Sequence, residues 1–216
     1  MEFRKFDKIP RLNRGMVITE KIDGTNGCVV VSRPEPEDYD KELENATATA
    51  DHERIVIHVQ SRKRIITPGK DTDNFGFAGW VREHAEELAW LGEGRHYGEW
   101  WGGGIQRGYG LQAGGEPDRR FSLFNTGRWS EGVDVPSDPR PPCCSVVPVI
   151  KRYDFSVEII DQSLAWLREN GSMAAPGFDN PEGIVIYHAA ARQMFKVTLE
   201  GDESPKGIYK GMHANA

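Results

Sequence analysis

The feature that most limits the fold is a series of eight short runs, mostly β-branched or aromatic and closed by Gly, Pro, Asn or Asp. They span Met16 to Glu20, Gly27 to Ser32, Ile55 to Ser61, Arg95 to Trp100, Phe121 to Asn125, Ser145 to Ile150, Gly183 to His188 and Gln193 to Leu199. Such runs read as strands. Only two stretches carry a helical period. Trp80, Val81, His84, Leu88 and Leu91 recur at helical spacing within Ala78 to Leu91. The second helix runs from Ser156, placed as an N-cap, to Asn170, with Gly171 past its end; Val157, Ile160, Leu164 and Leu167 form its expected buried face. Strands that outnumber helices without alternating with them predict an α+β fold, with two largely antiparallel sheets flanked by helices.

A chain of 216 residues suits one domain, here taken as 1–216. Arg33 to about residue 54 is acidic, proline-punctuated and without hydrophobic period, and reads as a polar insertion loop. "SEGVDVPSDPRPPCC" reads as a proline-rich connector. No apolar run reaches the roughly 18 residues of a membrane span. The start, "MEFRKFDKIPRL", lacks an apolar signal core, so a cytoplasmic protein is expected. Three cysteines, two adjacent, match neither a disulfide framework nor a zinc spacing. The net charge of −6 argues against a general nucleic-acid coat but leaves room for a local basic groove.

Polar residues interrupt five of the apolar strands. Lys21 ends one, in "EKIDGTNG"; "QSRKR" puts three cations at the end of another. Glu99 lies in an aromatic strand that opens into "GGGIQRGYG"; Glu182 precedes "GIVIYH", and Lys196 lies inside "MFKVTLE". Asp-Gly and Asn-Gly within "EKIDGTNG" are favoured hairpin-turn pairs, so a strand–turn–strand hairpin is the expected local structure. Any one charge on a strand is ordinarily solvated. Lys, Arg and Glu drawn from five strands fit a cleft for phosphates and a metal.

In order and spacing these stretches resemble the covalent nucleotidyltransferase superfamily of ATP-dependent ligases and capping enzymes. "KIDG" matches its K-x-D-G nucleophile motif. "EKIDGTN", "YGEWWGGGIQRGY" followed by "RRFSLFN", and "EGIVIY" before "MFKVT" bring the chain nearest to the phage-type RNA ligase 2 family, over about residues 16 to 200.

The resemblance implies the nucleotidyltransferase (adenylation) domain fold of ATP-dependent ligases and three transfers. Lys21 attacks the α-phosphorus of ATP and releases pyrophosphate; AMP passes to a 5′-phosphate end; a 3′-hydroxyl then seals the strand. Protonated lysine is a poor nucleophile, so the site must favour the neutral amine. The resemblance further gives Glu182 a catalytic Mg2+ or Mn2+, with Asp23 as a second metal contact, and puts Lys196 on the α-phosphate. Arg62, preferred over Lys63 and Arg64, would hold a phosphate. Glu99 would accept from the ATP ribose, and Phe124, preferred over Phe121, would stack on adenine. Glu20, Ile22, Asp23 and Asn26 flank the lysine along the nucleotide.

One departure stands out. Many members carry a second lysine where this chain has Thr198, and Lys206 is the candidate substitute. Thr25-Asn26 after K-x-D-G favours RNA ends over DNA. About 20 residues follow the last motif, too few for an OB-fold domain. A basic face of Lys63, Arg64, Arg107, Arg119 and Arg120 would then serve the nucleic acid, and the chain is expected to act as a monomer. The competing readings are a minimal DNA nick ligase, a ligase-like domain that self-adenylylates or binds 5′-phosphate ends without efficient sealing, and an unrelated α+β protein with a chance K-x-D-G.

Overall fold

The computed structural model describes residues 2–33, 46–50, 53–130 and 140–200. In chain order the first strands are β1 (Gly15–Lys21), β2 (Thr25–Ser32), β3 (Ala46–Ala50), β4 (Glu53–Ser61) and β5 (Ile65–Ile66). Two short helices follow, α1 (Phe77–Glu83) and α2 (Ala85–Leu88), then β6 (Gly94–Gly102), β7 (Gln112–Ala113), β8 (Glu116–Pro117) and β9 (Arg119–Leu123). The rest comprises α3 (Thr126–Trp129), β10 (Cys144–Val146), β11 (Val149–Asp154), α4 (Val157–Asn170), β12 (Gly183–His188) and β13 (Gln193–Thr198).

The chain divides into two compact units, one from Met1–Ile22 and Pro148–Ala216, the other from Asp23–Val147. The first holds a four-stranded antiparallel sheet ordered β11-β1-β12-β13. Met16, Ile18, Ile184 and Ile186 alternate onto one face and pack with Leu167 of α4. Ser156 caps α4 as expected, its hydroxyl accepting from the Ile159 N–H at 3.3 Å. Val157, placed on the buried face by its spacing, is instead 62% exposed, and Ile159 takes its place against the sheet.

The second unit holds a sheet ordered β10-β9-β6-β2-β4-β3, with β5 beside β4 and only β10–β9 parallel. Phe77, Trp100 and Phe121 lie at its centre, with ring centroids 4.9–5.3 Å apart along the contacts that Phe77 makes. Burying each such side chain contributes roughly 1.5–3 kcal/mol. These antiparallel sheets with few helices give the expected α+β class.

Four local expectations change. "EKIDGTNG" is no hairpin: β1 and β2 belong to different sheets. A Cβ on Gly24 would lie 2.5 Å from the Trp100 carbonyl oxygen, and one on Gly27 would lie 2.6 Å from the Phe77 ring. Both glycines allow close approach rather than a turn. The helix expected over Ala78 to Leu91 breaks at His84, whose ring nitrogen and N–H both lie on the Trp80 carbonyl. Ser145 to Ile150 splits into β10 and β11, on different sheets. Part of the expected insertion loop is strand: Ala46 and Ala48 alternate into the core while β3 pairs with β4.

Candidate functional site

Lys21 is the last residue of β1. Its ammonium donates to Glu182 Oε2 at 2.5 Å, with the two side chains 23% and 17% exposed. Glu182 precedes β12, whose first residue Gly183 lies opposite Lys21. Gly183 has φ +155°, and a Cβ there would run into the Val197 carbonyl oxygen, so this position admits only glycine. The next residue across the sheet from Gly183 is Thr198. Lys196 lies one row back, opposite Val185, which is opposite Thr19. Period-two alternation therefore puts Lys21, Lys196 and Thr198 on one face.

Glu20 points to the other face and is 1% exposed. Its carboxylate accepts from Ser172 Oγ at 2.6 Å and from the N–H groups of Met173 and Ala174 at 2.8 and 2.9 Å. Burial pushes this carboxyl above its ordinary range, against the pull of those three donors. The Glu20 side chain thus pins the end of β1 to the segment after α4, and its N–H donates to the Pro148 carbonyl oxygen at 2.9 Å. Ile22, 3% exposed, is buried beside it in the sequence.

In the second unit, Asp23 is held by the glycine-rich loop. Arg107 Nε donates to Asp23 Oδ2 at 3.1 Å, and the Asp23 N–H donates to the Tyr109 hydroxyl at 2.7 Å. Tyr109 is 3% exposed, has φ +53°, and sets its ring edge-on to Trp101 at 4.9 Å. Glu99 Oε1 accepts from the Gly24 N–H at 3.2 Å. Asn26, Glu99, Ser122 and Ser145 form one row across β2, β6, β9 and β10. Trp101 Nε1 donates to Ser122 Oγ at 2.8 Å, and the two serine hydroxyls are 2.6 Å apart. Cys28, on the same face as Asn26, has its thiol pushed up to about 11 by burial and stays neutral.

Phe121 is wholly buried in the core and Phe124, just past β9, is part-exposed, so only Phe124 offers a ring edge to a ligand. Arg62 is exposed in the turn after β4. Arg64 is spent on the Thr72 and Asp73 carbonyl oxygens at 2.6 and 3.2 Å. The expected basic face is largely used internally. Arg119 donates to the Gly103 and Phe75 carbonyls, Arg120 pairs with Asp118, and Arg107 holds Asp23. The roles of Tyr109 and Ser172 were not read from sequence, although the glycine-rich loop marked the first of them. Lys206 lies outside the described residues.

Among the described residues no three His, Cys, Asp or Glu side chains gather as a metal cage. Glu182 offers one carboxylate at the lysine, while that of Asp23 is engaged by Arg107. Magnesium is commonly held by one or two carboxylates plus substrate phosphates. The donor set fits a cation that arrives with a nucleotide. Among the described residues no helix is long and apolar enough to cross a membrane.

A family model described as RNA ligase matches residues 14–198. No curated protein matches the sequence. Among solved structures, a variant of Naegleria gruberi RNA ligase with ATP and Mn is 17% identical, with TM-score 0.51 over 86% of this chain and 49% of that one. A second variant with ATP and Mn is 18% identical, with TM-score 0.52 over 87% and 50%. A third, with AMP and Mn, is 20% identical, with TM-score 0.50 over the same shares. At these identities the likeness concerns the fold, and the chain spans about half the length of the structures it matches.

Proposed function

Because the chain belongs to the RNA ligase family, we propose that it is an ATP-dependent RNA ligase working through a lysyl-AMP intermediate. The observation that carries this reading is the Lys21–Glu182 ion pair at the end of β1, within K-x-D-G. Both units serve as one nucleotidyltransferase domain. It acts as a monomer in the cytoplasm.

In the first transfer the Lys21 amine forms a bond to the α-phosphorus of ATP, and the bond to pyrophosphate breaks. The amine must first lose a proton, and Glu182 is the group positioned to hold it. Lys196 meets the charge that develops on the α-phosphate. Glu99 and Asn26 orient the ribose, Phe124 stacks on the adenine, and Arg62 holds a phosphate oxygen. Glu182 would also hold a divalent cation, Mg2+ or Mn2+, which would supply electrostatic neutralisation of the phosphates. Asp23, engaged by Arg107, holds the chain after the lysine in place. AMP then passes to an RNA 5′-phosphate, and a 3′-hydroxyl displaces it to seal the strand.

A second reading rests on Thr198, which lies in the same row as Lys21 with no lysine in its place. It gives a chain that self-adenylylates and binds 5′-phosphate ends, of RNA or DNA, with inefficient sealing; loss of sealing in Lys206→Ala would argue against it. The test is mass spectrometry after incubation with ATP and magnesium. A gain of one AMP, reversed by pyrophosphate and absent from Lys21→Ala, is expected; no adduct with magnesium or manganese, and ATP or GTP, would sink both readings. Labelled RNA and DNA strands then separate sealing from adenylylation alone.

A further inference from the structure

We infer that the open face of the four-stranded sheet is a stacking platform for single-stranded RNA beside the reacting end. The inference rests on the reading of the chain as an RNA ligase. One face of this sheet is closed by α4 over Met16, Ile18, Ile184 and Ile186. The other carries Lys21 at one end. At the far end, the register aligns Arg152, Val17, Tyr187 and Met194 in a single row across all four strands.

Among the described residues that row is exposed. Tyr187 is 36% and Met194 59% exposed, and Arg152 is exposed beside them. Lys196, also exposed, lies in the next row toward Lys21, and Asp154 is an acid at the far end of this face. An aromatic ring and a polarizable thioether, with cations on two sides, are the means by which proteins hold unpaired bases and their phosphates. Every base has a π-face, so such a row needs no particular sequence. From Val17 to Lys21 is four residues, about 14 Å along a strand. The platform therefore lies within a few nucleotides of the lysine.

Size decides against a protein partner. Four strands wide and four residues long, the patch is roughly 14 Å by 14 Å, about a quarter of the ~800 Å² that each side of a stable protein interface contributes. The acidic net charge of −6 makes a local site more useful, because no general attraction for RNA exists.

The test binds a short, fluorescent, 5′-phosphorylated single-stranded RNA to the full chain and reads anisotropy. Tyr187→Ala is expected to weaken binding on the order of tenfold, and Tyr187→Trp to keep it. Arg152→Gln should lower the slope of log affinity against log salt by about one. In the wild type, 4-thiouridine RNA should crosslink to peptides containing Tyr187 or Met194. This arm stands even where a variant fails to fold. Unchanged affinity in folded Tyr187→Ala, or crosslinks confined to other segments, overturns the platform. Lysyl-AMP formed without RNA tests the ligase reading separately. An adduct without crosslinks at the row sinks the platform alone; crosslinks without any adduct sink the ligase reading and leave the platform standing.

Discussion

On the open face of the small sheet, charged groups gather around the end that bears Lys21. Lys21 rests on Glu182 and Lys196 stands one row away. On the face of the large sheet away from its helices, the groups are mostly neutral and linked. The Trp101 N–H reaches Ser122, Ser122 meets Ser145, and the Ser145 hydroxyl donates to the Phe121 carbonyl at 3.3 Å. A part-exposed ion pair can exchange partners at little cost, because water shares its charges. A buried chain of neutral hydrogen bonds resists rearrangement, because each group left unpaired costs about 1–3 kcal/mol. The bonding beside Lys21 is thus easily exchanged, while that on the large sheet holds its shape.

The strongest test of that contrast removes the charge from the small sheet. Glu182→Ala should slow lysyl-AMP formation by about 10²–10³, the usual loss when one preorganised electrostatic group is deleted. Glu182→Gln keeps a hydrogen-bond acceptor but no charge, and should recover little of the rate. Single-turnover adduct formation measures both. A Gln variant close to wild type would mean that the pair is only a tether.

On the large sheet the loss should be smaller and of another kind. Glu99→Ala removes a carboxylate that accepts from the Gly24 N–H. A hydrogen bond to a charged group is worth about 1.5–3 kcal/mol, so the loss is about 10–150-fold. It should appear mainly in KM for ATP, with the rate at saturation better preserved. A fall in kcat alone would remove the distinction between the two sheets.

Gly24→Ala tests the framework without removing a charge. The added Cβ would lie 2.5 Å from the Trp100 carbonyl oxygen and 2.7 Å from the Trp101 Cβ. Overpacking of this kind costs roughly 1–3 kcal/mol, read as a lower urea midpoint. A midpoint equal to wild type would show that Gly24 is loosely packed against β6.

These particulars also explain what the sequence could convey. β12 runs over Gly183–His188, as its β-branched run between breakers predicts, and α4 starts and ends at its expected caps. Both are local signals, fixed by a residue and its near neighbours. "EKIDGTNG" misled because a glycine required by a distant ring looks the same in sequence as one required by a turn. His84 breaks a helix whose apolar spacing continues, since periodicity carries no mark of a ring nitrogen on a carbonyl. For the site, the positions of Lys21 and Glu182 were legible as strand ends, but their contact joins residues 161 apart. Arg107 looked like surface charge; its bond to Asp23 depends on a loop with positive φ at Gln106 and Tyr109, which no residue type there announces.

The smallest expected effect concerns Glu20, the buried exception among the acids near the lysine. Burial raises its folded pKa above the ordinary glutamate value of about 4.3. Between that value and the raised one, the folded chain binds more protons than the unfolded chain, so stability falls as pH rises through the window. The stabilisation is fully present below the window and lost above it. Glu20→Gln cannot titrate; its amide oxygen can still accept from the Met173 and Ala174 N–H groups, while its NH2 faces the Ser172 hydroxyl oxygen, which can accept. Urea midpoints of the two proteins, followed upward from acid pH, should show wild type losing ground to the variant across the window. The opposite slope would mean that the three donors outweigh burial and hold the carboxylate charged. Glu20 would then be an anchor that strengthens with pH, and the end of β1 would be held by the kind of charge that the face bearing Lys21 keeps exchangeable.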